Sequence, residues 1–188
     1  SVSTGDYHTC AVLDDASLYC WGKNNDGQLG DGTTTDSSTP VAVSLPSGRT
    51  VTSISGGAVH TCAILDDASV YCWGYNHYGQ LGDGTNTDSN TPTAVSLPSG
   101  RTSSSVSTRD YHTCAVLDDA SLYCWGRHQE NQLGLGSNDG VTILDSDIPA
   151  YVELGEINPN STVVASASLG ERDHDNDGII SLFDSTPW

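Results

Sequence analysis

One fifteen-residue phrase occurs three times in this chain: His8-Thr-Cys-Ala-Val-Leu-Asp-Asp-Ala-Ser-Leu-Tyr-Cys-Trp-Gly22, then its close copies His60 to Gly74 and His112 to Gly126. Cys10, Cys62 and Cys114 fix the period at 52 residues. A repeat of about fifty residues is one supersecondary unit, which buries its apolar face by stacking on its neighbours. With 188 residues the chain is one domain or one short repeat array, with room for a moderate core.

The six cysteines fall into the pairs Cys10/Cys20, Cys62/Cys72 and Cys114/Cys124. Each pair brackets a predicted hairpin: Thr9 to Leu13 and Leu18 to Trp21 alternate apolar and polar about the turn Asp14-Asp15-Ala16. A three-residue loop sets Leu13 opposite Ser17 and, counting outwards, Cys10 opposite Cys20, within reach of a disulfide. Bridges of this density belong to oxidising compartments, so the chain reads as extracellular or displayed on a cell surface. Two other readings stay open: His8 and Cys10 share a strand face and with Cys20 form a zinc-type donor set, and the thiols are free.

Each repeat reads as four short strands, in the second repeat Thr50 to Ser55, His60 to Leu65, Ser69 to Trp73 and Thr93 to Leu97. Between the last two runs the loop Gly79-Gln-Leu-Gly-Asp-Gly84, then a Ser/Thr/Asn/Asp stretch with Pro92. Units of four strands build β-propellers, and no segment shows a helical period. The predicted fold is all-β, with three propeller-type repeats over about 1–49, 50–101 and 102–155, and a C-terminal region over 156–188.

The phrases His-Thr-Cys-Ala, Tyr-Cys-Trp-Gly, Asn-x-x-Gly-Gln-Leu-Gly-Asp-Gly-Thr and a following Thr-Pro resemble the repeats of the regulator-of-chromosome-condensation family, above all its secreted, cysteine-containing variety. The resemblance covers residues 1 to about 155 and implies a propeller with about fifty residues per repeat. Complete propellers of that family usually have about seven repeats, whereas this chain has three, which makes an open arc or a propeller completed by other copies. The third copy departs from the pattern: Asn131-Gln-Leu-Gly-Leu-Gly136 lacks the first glycine and the loop aspartate, and an insertion, Ser137 to Asp147, precedes Pro149. Ser1 to Gly22 and Ser105 to Gly126 differ only at Gly5 versus Arg109, which suggests a two-repeat duplication.

After the third repeat, Ser161 to Gly170 reads as the opening strand of a fourth unit with no partner strands behind it. A lone strand either pairs with another chain or folds back as a clasp. Further on, Asp173-His-Asp175-Asn-Asp177-Gly178-Ile179-Ile-Ser-Leu-Phe-Asp184 carries carboxylates at loop positions 1, 3, 5 and 12, with the Ile179 carbonyl at 7. Hard oxygen donors in this number select Ca²⁺. With Asp in the twelfth position and no flanking helices, the loop resembles those of thrombospondin type-3 repeats and dockerins more than an EF-hand.

Net charge is −18, from 24 acidic and six basic residues. A field of that sign repels nucleic acid and anionic membranes, and no apolar run approaches bilayer length. Methionine is absent even at position 1, so the chain reads as processed. The acidic loops Asp31 to Asp36 and Asp83 to Asp88 fit turn chemistry or a weak cation site. His8, His60 and His112 recur once per repeat, which suits a structural imidazole bonded to a neighbouring strand better than a general base. Trp21, Trp73 and Trp125 read as packing aromatics over the disulfides, and His77 and His128 as loop residues without partners. Asn160-Ser-Thr162 is a weak glycosylation sequon.

No nucleophile motif, phosphate loop or dinucleotide fingerprint is present, so the chain is expected not to be an enzyme. The leading expectation is an extracellular structural protein that associates with itself into rings or filaments with calcium assistance. The alternative is a secreted module whose loops grip an extracellular protein or glycan, with Tyr75, His77 and Tyr78 as the exposed aromatics of one rim. Acidity and disulfides oppose the nuclear exchange activity for which the resembled family is best known.

Overall fold

The computed structural model describes residues 1–136 and 145–154, which lie in one compact body, Ser1–Leu154. Three antiparallel four-stranded sheets account for its regular structure. Blade one holds β1 (Val2–Thr4), β2 (His8–Val12), β3 (Leu18–Gly22) and β4 (Ser37–Ala42). Blade two repeats the order with β5 (Val51–Gly56), β6 (His60–Leu65), β7 (Val70–Gly74) and β8 (Ser89–Ala94). Blade three has β9 (Ser103–Arg109), β10 (His112–Leu117), β11 (Leu122–Gly126) and β12 (Ser146–Tyr151). Each sheet is a meander in sequence order.

The hairpin register is the one the turn dictates. Leu13 N–H donates to Ser17 O at 2.9 Å, and Cys10 faces Cys20 across β2 and β3. Cys62 faces Cys72 and Cys114 faces Cys124 in the same way, and all three pairs are disulfides with Cα atoms 4.1 Å apart. That separation belongs to the closely spaced, non-hydrogen-bonded positions of an antiparallel ladder. With the thiols bridged, the zinc and free-thiol readings fall away.

The fourth strand of blade two lies earlier than Thr93 to Leu97. It starts at Ser89, opposite Gly74, and runs through Pro92. An outermost strand tolerates proline because its outward N–H has no ladder partner to lose. Val95 and Leu97 drew the sequence reading downstream, but they are packing residues beyond the strand: Val95 N–H donates to Val70 O (2.9 Å) and Ser96 N–H to Gly82 O (2.8 Å).

Blades join along their first strands. Gly56 N–H donates to Ser3 Oγ, and one repeat later Thr108 N–H donates to Ser55 Oγ, both at 3.0 Å. Between the sheets, Trp73 of blade two is fully buried in a cluster with Cys10, Cys20, Leu29 and Val43 of blade one. The tryptophan thus packs in the buried cluster that holds its neighbour's disulfide. Burial along the stack is graded: Leu65 and Leu117 are 1% exposed, while their counterpart Leu13 is 48% exposed. The residues that face a preceding blade are covered in blades two and three and uncovered in blade one.

The predicted terminal strand 161–170, the sequon at Asn160 and the proposed calcium ligands Asp173, Asp175, Asp177, Ile179 and Asp184 lie outside the described residues.

Candidate interaction site

Each seam between blades is organised on one carbonyl. Gln28, in the glycine-rich loop of blade one, is buried, and its backbone O accepts from Thr61 Oγ1 (2.9 Å) and Trp73 Nε1 (3.0 Å) of blade two. His8 Nε2 lies 2.8 Å from the same Thr61 hydroxyl. Because that hydroxyl gives its hydrogen to Gln28 O, the imidazole donates, which assigns the neutral Nε2–H tautomer. One repeat later the same set recurs: His60 Nε2 to Thr113 Oγ1 at 3.0 Å, with Thr113 Oγ1 and Trp125 Nε1 both donating to Gln80 O at 3.0 Å.

Burial governs the titration of these rings. Desolvation holds His8 down to about 4 and His60 down to about 3, and it lowers His112 as well. The neighbouring His8 and His112 lower His60 further, against a small opposing effect of the Asp110 backbone. The His8 and His60 rings are thus held neutral by burial, each beside a threonine hydroxyl of the next blade.

The loop of each blade hangs on a buried asparagine. Asn24 Nδ2 donates to Asp31 Oδ1 (3.3 Å), Thr33 O and Thr35 O (3.1 Å each), and Asn24 Oδ1 accepts from Leu29 N–H (2.9 Å). Asn76 repeats this with Asp83, Thr85, Thr87 and Leu81. Asp31 and Asp83 also accept from the amides of Thr33 and Thr85 at 2.9 Å, so these carboxylates serve their own turns. In blade three the hub is His128: its Nδ1 accepts from Leu133 N–H (3.2 Å), and its backbone N–H donates to Asp145 Oδ1 (2.7 Å). His128 is 4% exposed and bonded through both its backbone N–H and its Nδ1, which corrects its reading as a loop residue without partners. Its alignment with Asn24 and Asn76 at the 52-residue period was the available signal.

A cluster of half-buried aromatic rings gathers on one rim, across the seam of blades two and three. Tyr78 and Tyr111 stack edge to face with centroids 5.4 Å apart, and Tyr75 lies 5.9 Å from Tyr111 and 6.1 Å from Tyr78. His77 sits against Tyr75 at 4.6 Å, and the Arg127 guanidinium lies 5.8 Å from the Tyr78 ring and 6.0 Å from that of Tyr111. Carboxylates border the cluster: His77 Nδ1 is 3.6 Å from Asp88 Oδ1, while partial burial and the charge of Asp88 raise the Asp26 carboxyl above its ordinary range. Burial first, then Tyr78 and Asp88, push the Tyr75 phenol up. Sequence reasoning singled out Tyr75, His77 and Tyr78 but missed Tyr111 and Arg127, which the seam brings in from the next repeat. Among the described residues no group of three His, Cys, Asp or Glu side chains is arranged to hold a metal ion.

The Regulator of chromosome condensation (RCC1) repeat model matches residues 15–64, 67–116 and 119–171, and a second model of that repeat matches 1–28, 51–80 and 104–132. The Ultraviolet-B receptor UVR8 of Arabidopsis thaliana is 33% identical over 156 residues, 82% of this chain and 34% of the receptor. Human E3 ubiquitin-protein ligase HERC2 is 29% identical over 145 residues, 76% of this chain and 3% of that protein. Among solved structures, Prp20p of Saccharomyces cerevisiae superposes with a TM-score of 0.71 at 23% identity, over 81% of this chain and 38% of Prp20p. Human WBSCR16 gives 0.71 at 22% identity, over 83% and 39%. These two likenesses bear on the fold alone, and the chain spans about a third of the length of the plant receptor it matches.

Proposed function

The chain belongs to the regulator of chromosome condensation (RCC1) repeat family, and from that premise we propose that it is a non-enzymatic binding module that grips a protein ligand with the rim formed by Tyr75, His77, Tyr78 and Tyr111. The observation that carries this reading is the rim itself. Large, stiff aromatic rings at low entropic cost, bordered by charge, are what protein-binding surfaces concentrate. Prp20p, the yeast RCC1 protein that shares this fold, itself binds Kap60 and has binding properties towards Gsp1p and histones. Here His8 and His60 are engaged in holding blades together.

The six bridged cysteines support an extracellular or cell-surface setting. The spaced carboxylates Asp173, Asp175, Asp177 and Asp184, with the Ile179 carbonyl, support calcium binding by the C-terminal loop. A photo-crosslinking residue at position 77 of the full chain tests the binding reading. A captured protein that is lost on Tyr75→Ala/Tyr78→Ala supports it. Capture unchanged by those substitutions refutes the rim, and binding to a glycan array through the same residues replaces protein by sugar.

Self-association into rings or filaments is the second reading. The uncovered face of blade one, with Leu13 48% exposed, speaks for it. Against it stands blade three, whose seam positions carry Arg109 and Asn131 where the other blades have glycine. Native mass with and without a chelator decides between an assembly and a monomeric binder.

A further inference from the structure

A seam is made by two half-surfaces, and the glycines show what one of them demands. A Cβ on Gly5 would lie 2.6 Å from His8 Nδ1, and one on Gly57 would lie 2.6 Å from His60 Nδ1. The imidazole that reaches across to the next blade's threonine therefore occupies the space a side chain would take. A Cβ on Gly27 would lie 2.8 Å from Asn90 Cβ, and one on Gly79 would lie 2.7 Å from Asp147 Cβ, each on the outer strand of the following blade. No real Cβ tolerates such distances without movement of its neighbour, and here most of the neighbours are backbone or the seam ring itself.

Blade three replaces both kinds of glycine. Arg109 stands at the position of Gly5 and Gly57, and Asn131 at that of Gly27 and Gly79. Arg109 is also the single difference between Ser1–Gly22 and Ser105–Gly126. Its side chain is 82% exposed, and His112 is only half-buried where His8 and His60 are buried. Asn131 is exposed where Gly27 and Gly79 are buried. The opposite end is built differently. Blade one keeps the receiving set intact: Thr9 and Trp21 stand at the places of Thr61 and Trp73, with Val2 68% and Leu13 48% exposed beside them.

We propose that the array is a one-ended stack. The blade-one face (Val2, Thr9, Leu13, Trp21) docks a repeat of this same type that carries glycine at both seam positions, while Arg109 and Asn131 close the blade-three end against any following blade. A second copy of this chain is thereby barred from that dock through its third blade, the last of the described residues' three. The two side chains act on a blade face as charges and bulges act on an open sheet edge, by excluding a further partner. The inference is independent of the aromatic rim, none of whose residues it uses.

The full chain tests it by itself. Arg109→Gly/Asn131→Gly restores the residues that blades one and two already carry at those places, so the fold is preserved. Wild type is expected at the monomer mass of 19.7 kDa in light scattering, and the double variant at masses that grow with concentration. Adding Leu13→Asp removes the receiving face: the triple variant alone is monomeric, but mixed with wild type it forms a one-to-one pair of about twice the monomer mass. Circular dichroism matching wild type shows that each variant is folded. A double variant that keeps the wild-type mass overturns the proposal, and so does a wild-type oligomer that Leu13→Asp dissolves. Loss of rim-dependent crosslinking leaves these masses unchanged, so the two ideas fail separately.

Discussion

His8 Nε2 lies 2.8 Å from Thr61 Oγ1, a residue 53 positions along the chain and one blade away. The threonine hydroxyl passes its own hydrogen to Gln28 O, so two polar groups of blade one are satisfied by one side chain of blade two inside an apolar seam.

Thr61→Val removes that hydroxyl and leaves the buried His8 N–H without an acceptor. The expected cost is about 1–3 kcal/mol in urea unfolding, the penalty of one orphaned buried polar group. Thr9→Val is the matched control. Thr9 faces no preceding blade, so its loss is expected within about 0.5 kcal/mol.

Acid weakens the seams over a window set by the histidines. Folding lowers His8 to about 4 and His60 to about 3, from an ordinary 6.5. Between those values the unfolded chain binds more protons than the folded one, so stability is fully present above pH 6.5 and falls as pH drops towards the folded values. Asp15, Asp67 and Asp119, held below their ordinary 3.8 by the hydroxyls of Ser17, Ser69 and Ser121, lose their contribution only below that value. Urea midpoints measured from pH 7 to 4 should therefore decline, and His60→Gln should flatten the decline.

The asparagine hub is irreplaceable by apolar residues and replaceable by histidine. Asn76→Ala strands Leu81 N–H and two loop carbonyls, and is expected to cost about 2–3 kcal/mol and to speed hydrogen exchange at Leu81. Asn76→His copies blade three, where His128 Nδ1 accepts the equivalent amide, and should cost less than half as much.

Each disulfide closes a ring with a sequence separation of 10. Chain-entropy reasoning assigns about 3 kcal/mol to a ring of this size, so Cys62→Ala/Cys72→Ala should lower stability by that order. Iodoacetamide should label the native protein nowhere and the reduced, unfolded protein at six positions.

Calcium titration of the full chain should release heat that disappears in Asp173→Asn/Asp177→Asn, with the blade signal in near-ultraviolet circular dichroism unchanged. Absence of any heat in the wild-type chain removes calcium from the proposed function.

What the sequence made legible was whatever is local. The Cys10–Cys20 register follows from a turn only a few residues long, and the period follows from identity. What it hid was the seam, because nothing in a single copy shows that His8 answers to Thr61 in the next. Strand β8 was displaced for a related reason: Val95 and Leu97 carry the hydrophobic signal of a strand but use it for packing, while the ladder runs through the polar Ser89–Ala94. His128 was misread because its chemistry differs from asparagine, although its position in the repeat matches. Arg109 was noticed as a difference. Its meaning needed the three-dimensional neighbour of Gly5, an imidazole three residues away along the chain.

The disulfides all lie within blades, joining the second strand to the third, and none joins one blade to another. Mechanical load applied along the chain is therefore resisted between blades by hydrogen bonds and packing alone, while inside each blade a covalent stop protects the hairpin. Stretched in an optical trap, the array should give way blade by blade, each step falling short of its full contour length by the residues held inside one closed ring. Reducing agent should lengthen every step by that same increment.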